Sequence, residues 1–159
     1  MSLVGRTFRS SAIAMLLLIV SPVMADDVVY VESGDEGMEA AMDHARSLLP
    51  HFWKTYSTRT RGEEGFSLKV RVEDDGAVEY FWATDVVRDG DTISGTINNE
   101  PAVVSSVSLG QRIQFGEADI SDWLYIRENK MVGNYTLRAM FFQMSDEEVA
   151  YYSQILTDP

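Results

Sequence analysis

The chain has 159 residues, a formal net charge of −12 and no cysteine. A charge of that sign repels phosphate, which argues against nucleic acid and anionic membrane surfaces as partners. Without cysteine there is no disulfide framework, no lipid-modified thiol and no thiol nucleophile.

Arg6 and Arg9 precede the apolar run Ala12 to Val20, followed by Ser21, Pro22 and the small-residue pattern Val23-Met24-Ala25. This is the layout of a secretory signal peptide cleaved after Ala25. Nine apolar residues fall well short of the roughly 20 that a helix needs to span hydrocarbon. The expected product is a soluble, monomeric, single domain of residues 26–159, periplasmic or secreted. Losing Arg6 and Arg9 with no acid takes its net charge from −12 to −14. Such a charge favours solubility first and a cationic partner second.

Ser33-Gly34-Asp35-Glu36 fits a capping box, which predicts a helix starting near Asp35. Met38, Ala41, Met42, Ala45, Leu48, Leu49 and Phe52 recur at three- and four-residue steps, one apolar stripe made to pack on a sheet. Pro50 interrupts the helix and opens a second short turn through Trp53. From Phe66 the period changes to two, with Phe66, Leu68, Val70 and Val72 alternating with polar residues as in a half-buried strand. Asp75-Gly76 turns it into a second strand, Ala77 to Val87, which is apolar on both faces and so expected to be covered on both. Asp89-Gly90 leads into a third strand, Thr92 to Asn98. Asn98-Asn99-Glu100-Pro101 then forms a loop, and Arg112 to Phe115 and Ile120 to Tyr125 are two further strands. Helical spacing returns after Gly133, and the capping box Ser145-Asp146-Glu147-Glu148 starts a final helix to about Leu156. The expected fold is α+β, a strongly curved antiparallel sheet of about five strands on the N-terminal helix, with short C-terminal helices.

Hydrogen-bonding residues stand where a plain core would use Leu or Val. Asp122 lies beside Trp123 between Ile120 and Leu124, and Asn134, Tyr135 and Arg138 follow Gly133. A desolvated carboxylate needs a partner; Arg138 is the expected cation for Asp122, with Lys69 next. Glu79 shares a face with Phe81 and so points among apolar neighbours, as a structural partner or a site member. His44 and His51 are the only histidines; with no cysteine and no i, i+4 pair they carry no metal motif, and neither metal nor cofactor is expected. No Gly-x-Ser-x-Gly elbow is present.

Phe66-x-x-Lys69, Glu79-x-x-Trp82, Gly95-Thr96-Ile97-Asn98-Asn99-Glu100-Pro101, Leu109-Gly110, Ile120-Ser121-Asp122-Trp123 and Gly133-x-Tyr135-Thr136-x-Arg138 together resemble the YegJ-like bacterial family, a domain of unknown function. The resemblance runs from Met38 to about Leu156. Where many members of that family carry a histidine between the Glu and the Trp, this chain has Tyr80. The resemblance implies no established activity, cofactor or catalytic residue.

The leading expectation is a binding or interaction module for an unknown small ligand or protein. Its candidate binding residues are Glu79, Trp82, Asn98, Asp122, Trp123, Tyr135 and Arg138, since aromatics and Arg are common interface anchors. No catalytic residue is assigned. One alternative is an envelope hydrolase with Glu79 and Asp122 as paired carboxylates. Another is an acidic inhibitor or immunity-like protein for a cationic enzyme.

Overall fold

The computed structural model describes residues 35–59 and 61–159. The signal-like segment and Ser33 lie outside those residues. Helix α1, Glu36–Ser47, is capped by Asp35, whose carboxylate accepts the Met38 amide at 3.0 Å. Glu36 and Glu39 add negative charge to its first turn, where the helix dipole favours it. Pro50 stands at the start of a second helix, where its missing N–H leaves no hydrogen bond unmade. That helix, α2, runs over Leu49–Thr58, longer than the turn expected through Trp53, and ends at Arg59 with φ of 45°.

Among the described residues seven strands form one sheet: β1 Glu64–Asp74, β2 Ala77–Asp89, β3 Thr92–Ile97, β4 Arg112–Phe115, β5 Ile120–Arg127, β6 Lys130–Gly133 and β7 Leu156–Thr157. Their order is β4-β3-β2-β1-β5-β6-β7, antiparallel throughout except for β6 and β7. The expected α+β fold is present, with β6 and β7 added to the five strands read from the sequence. At the first hairpin Asp75 and Gly76 take φ of 49° and 82°, the left-handed pair that a two-residue turn requires. A short helix α3, Tyr135–Ala139, follows β6, and α4, Asp146–Ile155, leads into β7. The predicted second capping box is there, Ser145 and Glu148 exchanging bonds, yet α4 has no fully buried residue.

The helices and the sheet close over one core. Leu68, Val70, Phe81, Ala83, Ile93, Ile97, Trp123 and Tyr125 are buried on the side of α1 and α2, together with Ala45 and Phe52. The Phe52 ring centroid lies 5.6 Å from those of both Phe66 and Trp123. The indole of Trp123 donates to the Ala45 carbonyl at 2.8 Å, so strand β5 is bonded as well as packed to α1. Each fully buried aromatic or aliphatic side chain here contributes about 1.5–3 kcal/mol. On the opposite face Val78 and Tyr80 are 38% and 36% exposed. β2 is therefore covered on one face only over that stretch, contrary to the reading from its composition.

The long loop between β3 and β4 is clamped by carboxylates from the first hairpin. Glu79 accepts the amides of Ala102, Val103 and Val104 at 2.8–3.1 Å, and Asp74 accepts the amide and hydroxyl of Ser105 at 2.8 and 2.9 Å. Burial pushes the Glu79 carboxyl up, but its three backbone donors outweigh that and hold it below its usual range. The Ser105 donors likewise lower Asp74. Each bond set then contributes stability above the ordinary carboxylate pKa, and that contribution is lost as pH falls through the depressed values. Amide exchange at Ala102–Ser105, corrected for intrinsic rate, should accelerate below about pH 4, and Glu79→Gln should show the faster exchange already at neutral pH.

Candidate functional site

β1 and β5 place Lys69 opposite Asp122, and the register slips immediately beyond, between Lys69 and Val70. Ser121 fills the slip, its hydroxyl donating to the Lys69 carbonyl at 3.1 Å. The bulge turns Asp122 toward the segment after β6, where it is wholly buried. Its Oδ1 accepts the Trp123 amide at 2.8 Å, and its Oδ2 accepts the Thr136 amide and hydroxyl at 2.8 and 2.7 Å. α3 needs this: Asn134, at φ of 54°, offers no side-chain cap, and Asp122 supplies one from the neighbouring strand. Lys69 Nζ donates to Thr136 Oγ1 at 3.1 Å and lies 5.7 Å from the centroid of the Trp82 ring. Thr136 thus bridges a half-buried cation and a buried anion. Burial raises the Asp122 carboxyl, against its three donors and Lys69, and burial lowers the Lys69 ammonium, against Asp122.

Arg138 is not the partner of Asp122. It pairs with Asp158 at 2.8 Å, donates to the Thr157 carbonyl at 2.9 Å and lies 5.5 Å above the centroid of the Tyr135 ring. The carboxylate is satisfied by backbone and hydroxyl donors, with Lys69 across the ladder as its countercharge, so it has no need of a guanidinium.

Of the other candidate residues, Trp123 is fully buried in the core, and Tyr135 stands edge-on to it at 5.6 Å and to His44 at 4.7 Å. Burial pushes the Tyr135 phenol up to about 12. Gly133, at φ of 91°, packs on the Trp123 backbone; a Cβ there would overlap the Trp123 carbonyl oxygen and lie 2.8 Å from two ring carbons. Trp82 joins the group through Lys69. Asn98 is exposed, its amide bonded to the Trp82 carbonyl, while the neighbouring Asn99 side chain accepts the Trp82 amide. Asp122, Lys69 and Trp82 therefore share one face of the sheet, while Trp123 and Tyr135 pack in the core on the other, joined to Asp122 through the Trp123 amide and Thr136. Glu79 shares the Phe81 face and is not part of the group around Asp122. Glu79 and Asp122 do not flank a common space, and each carboxylate is bonded to three donors.

A second polar group escaped sequence reasoning. Glu63, with its side chain 2% exposed, pairs with Arg127 at 3.2 Å. Arg127 donates to the Tyr125 hydroxyl at 2.8 Å, which meets His51 Nε2 at 3.1 Å, and Thr55 reaches the same nitrogen at 3.3 Å. Burial, then Arg127 and Lys54, lower the His51 pKa, which suits its nitrogen to accept from Tyr125. No local signal in the chain announces a network whose members come from α2, the turn before β1 and β5. Among the described residues no group of three His, Asp or Glu side chains is placed to hold a metal.

The sheet and its buried carboxylate define an α+β domain in which the most polar part of the interior joins β5 to the segment following β6. The chain belongs to the DUF2314 family, uncharacterized proteins conserved in bacteria, which matches residues 35–157. It is 31% identical over 125 residues to "Uncharacterized protein YegJ" of Escherichia coli K12, covering 79% of this chain and 80% of that one. It is 33% identical over 135 residues to "Putative ankyrin repeat protein NMB1133/NMB1171" of Neisseria meningitidis serogroup B, covering 79% of this chain and only 53% of that protein. No solved structure matches.

Proposed function

We propose that this is a non-catalytic binding domain, exported as residues 26–159, whose contact surface is the open sheet face around Trp82. The observation that carries this reading is the pairing of cations with aromatics across β1 and β2, Lys69 opposite Trp82 and Arg71 opposite Tyr80, on the exposed side of the sheet. Aromatic and cationic side chains in register are the usual anchors of an interface. Asn98 borders this face through its bond to Trp82, and Asp122, on the same face, supports it by holding Thr136 against Lys69. The name of the Neisseria relative favours a protein partner, since ankyrin arrays present binding surfaces.

The test is capture from envelope extracts by the wild-type protein and by Tyr80→Ser with Trp82→Ser. Binding should weaken at least about tenfold, with the melting curve little changed. Equal capture by the variant removes the sheet face from consideration. Salt dependence separates the alternative: an acidic inhibitor of a cationic enzyme would lose its partner steeply between low and physiological salt and would ignore Trp82. For export, intact mass of the protein recovered outside the cytoplasm should correspond to a chain beginning at Asp26. Recovery with residues 1–25 attached in a membrane fraction would overturn that part.

A further inference from the structure

The β1–β2 ladder stops at Leu68 and Ala83 although both strands continue past it. Extended in register it would pair Ser67 with Thr84, Phe66 with Asp85 and Gly65 with Val86. None of these pairs forms, and all of these residues line one open cleft of about 250 Å³. The strands part because each bulges against its outer neighbour at the same level. β1 slips against β5 between Glu64 and Ser67, and β2 slips against β3 between Thr84 and Val87. Gly65 and Asp85 take the left-handed φ values, 63° and 48°, that these bulges need. For Asp85 that conformation is strained, and strain of this kind gathers at functional sites.

The end of α2 closes one wall. The Tyr56 hydroxyl donates to the Val86 carbonyl at 2.6 Å, and the Arg59 guanidinium lies 4.8 and 5.1 Å from the ring centroids of Tyr56 and Phe66. Arg59 Nε donates to the Tyr56 carbonyl; among the described residues its two terminal nitrogens have no hydrogen-bond partner. Glu64 and Asp85, both exposed acidic residues, are among those that line the cleft.

We propose that this cleft binds the carboxyl end of a short extended peptide. Two facing strand edges that do not pair with each other can each pair with an extended backbone laid between them. Arg59 offers a fork of donors to an α-carboxylate. Glu64 and Asp85 select against simple anions and accept a nearby ammonium. The volume, below the roughly 300 Å³ at which pockets for drug-sized ligands begin, limits the ligand to the terminal residues. The same chemistry is offered by a free dipeptide and by the C-terminus of a protein. The cleft shares no lining residue with the face around Trp82.

The test is a titration of isotope-labelled protein, followed by amide shifts, with alanyl-leucine, its C-terminal amide, its N-acetyl form and sodium acetate. Alanyl-leucine should shift Ser67, Thr84 and Asp85 amides. Amidation of its carboxyl, or Arg59→Gln in the protein, should weaken binding about tenfold, the effect of one charge-assisted hydrogen-bond pair. Retained binding of the N-acetyl form supports a protein C-terminus as the natural ligand, and its loss supports a free dipeptide. Absence of shifts up to about 10 mM, weaker than any useful affinity, overturns the proposal. So does an equal response to the amide, to acetate or in Arg59→Gln. Arg59→Lys, which keeps the charge and loses the fork, serves if the glutamine variant melts early.

Discussion

Gly133→Ala should cost about 4 kcal/mol or more, enough to unfold much of a domain with ordinary stability. Two penalties coincide there. The backbone sits at φ of 91°, which a side chain resists, and the added carbon would run into the Trp123 carbonyl and ring, neither of which can retreat from the core. Gly110→Ala is the control, since it has a similar φ of 79° with nothing within 4 Å and should cost only about 1 kcal/mol. Urea denaturation of the two variants, with a difference under about 1 kcal/mol, would show that the contact with Trp123 is not what Gly133 provides.

The second large effect belongs to Asp122. Asp122→Ala removes the acceptor of two buried amides and one buried hydroxyl and leaves Lys69 without its countercharge. The expected loss is about 3–5 kcal/mol. Thermodynamic cycles assign the partner: Asp122→Asn with Lys69→Met should couple by at least about 1 kcal/mol, and Asp122→Asn with Arg138→Met should be additive within about 0.5 kcal/mol. The opposite pattern would restore Arg138 as the cation. Acid treats this group differently from the loop held by Glu79. The Asp122 carboxyl is raised by burial, so the folded state binds its proton more tightly than the unfolded chain does. Its contribution is then largest below its ordinary value of 3.8 and declines as pH rises through the raised one. Acidification should therefore protonate Asp122 first, with no loss of stability from that group, and release residues 102–105 only at lower pH, through the depressed values of Glu79 and Asp74.

What could be read from the chain followed from periodicity and turn chemistry. The stripe containing Met42 and Ala45 is buried in α1, Asp75-Gly76 makes the hairpin, and strands β1 to β5 lie close to where alternation in the first and turn residues between the others placed them. Lys130–Gly133 and Leu156–Thr157 are too short to display a period, and pairing with neighbours alone makes them strands. Burial of Asp122 was legible because an acid stood between apolar residues. Its partner was not, because Thr136 answers with a backbone amide as well as its side chain, and every residue type but proline has an amide. Glu79 misled in the same way: its place on the Phe81 face was foreseen, its three amide donors were not. Glu63 and Arg127 meet across a separation in sequence that no spacing rule spans.

The connection from β4 to β5 dictates more than its length suggests. β4 and β5 stand on opposite sides of β3, β2 and β1. In a flat sheet that is four interstrand steps, roughly 19 Å sideways. The chain from Phe115 to Ile120 could cover at most about 18 Å if fully drawn out, and it is not drawn out, because Glu117–Asp119 are wound into a 3₁₀ turn. The sheet has to roll until its first edge comes round toward its middle. Gly116–Asp119 therefore acts as a drawstring, setting the curvature over which α1 and α2 must fit; lengthening it would let the sheet relax and slacken the packing around Phe52 without altering any core residue.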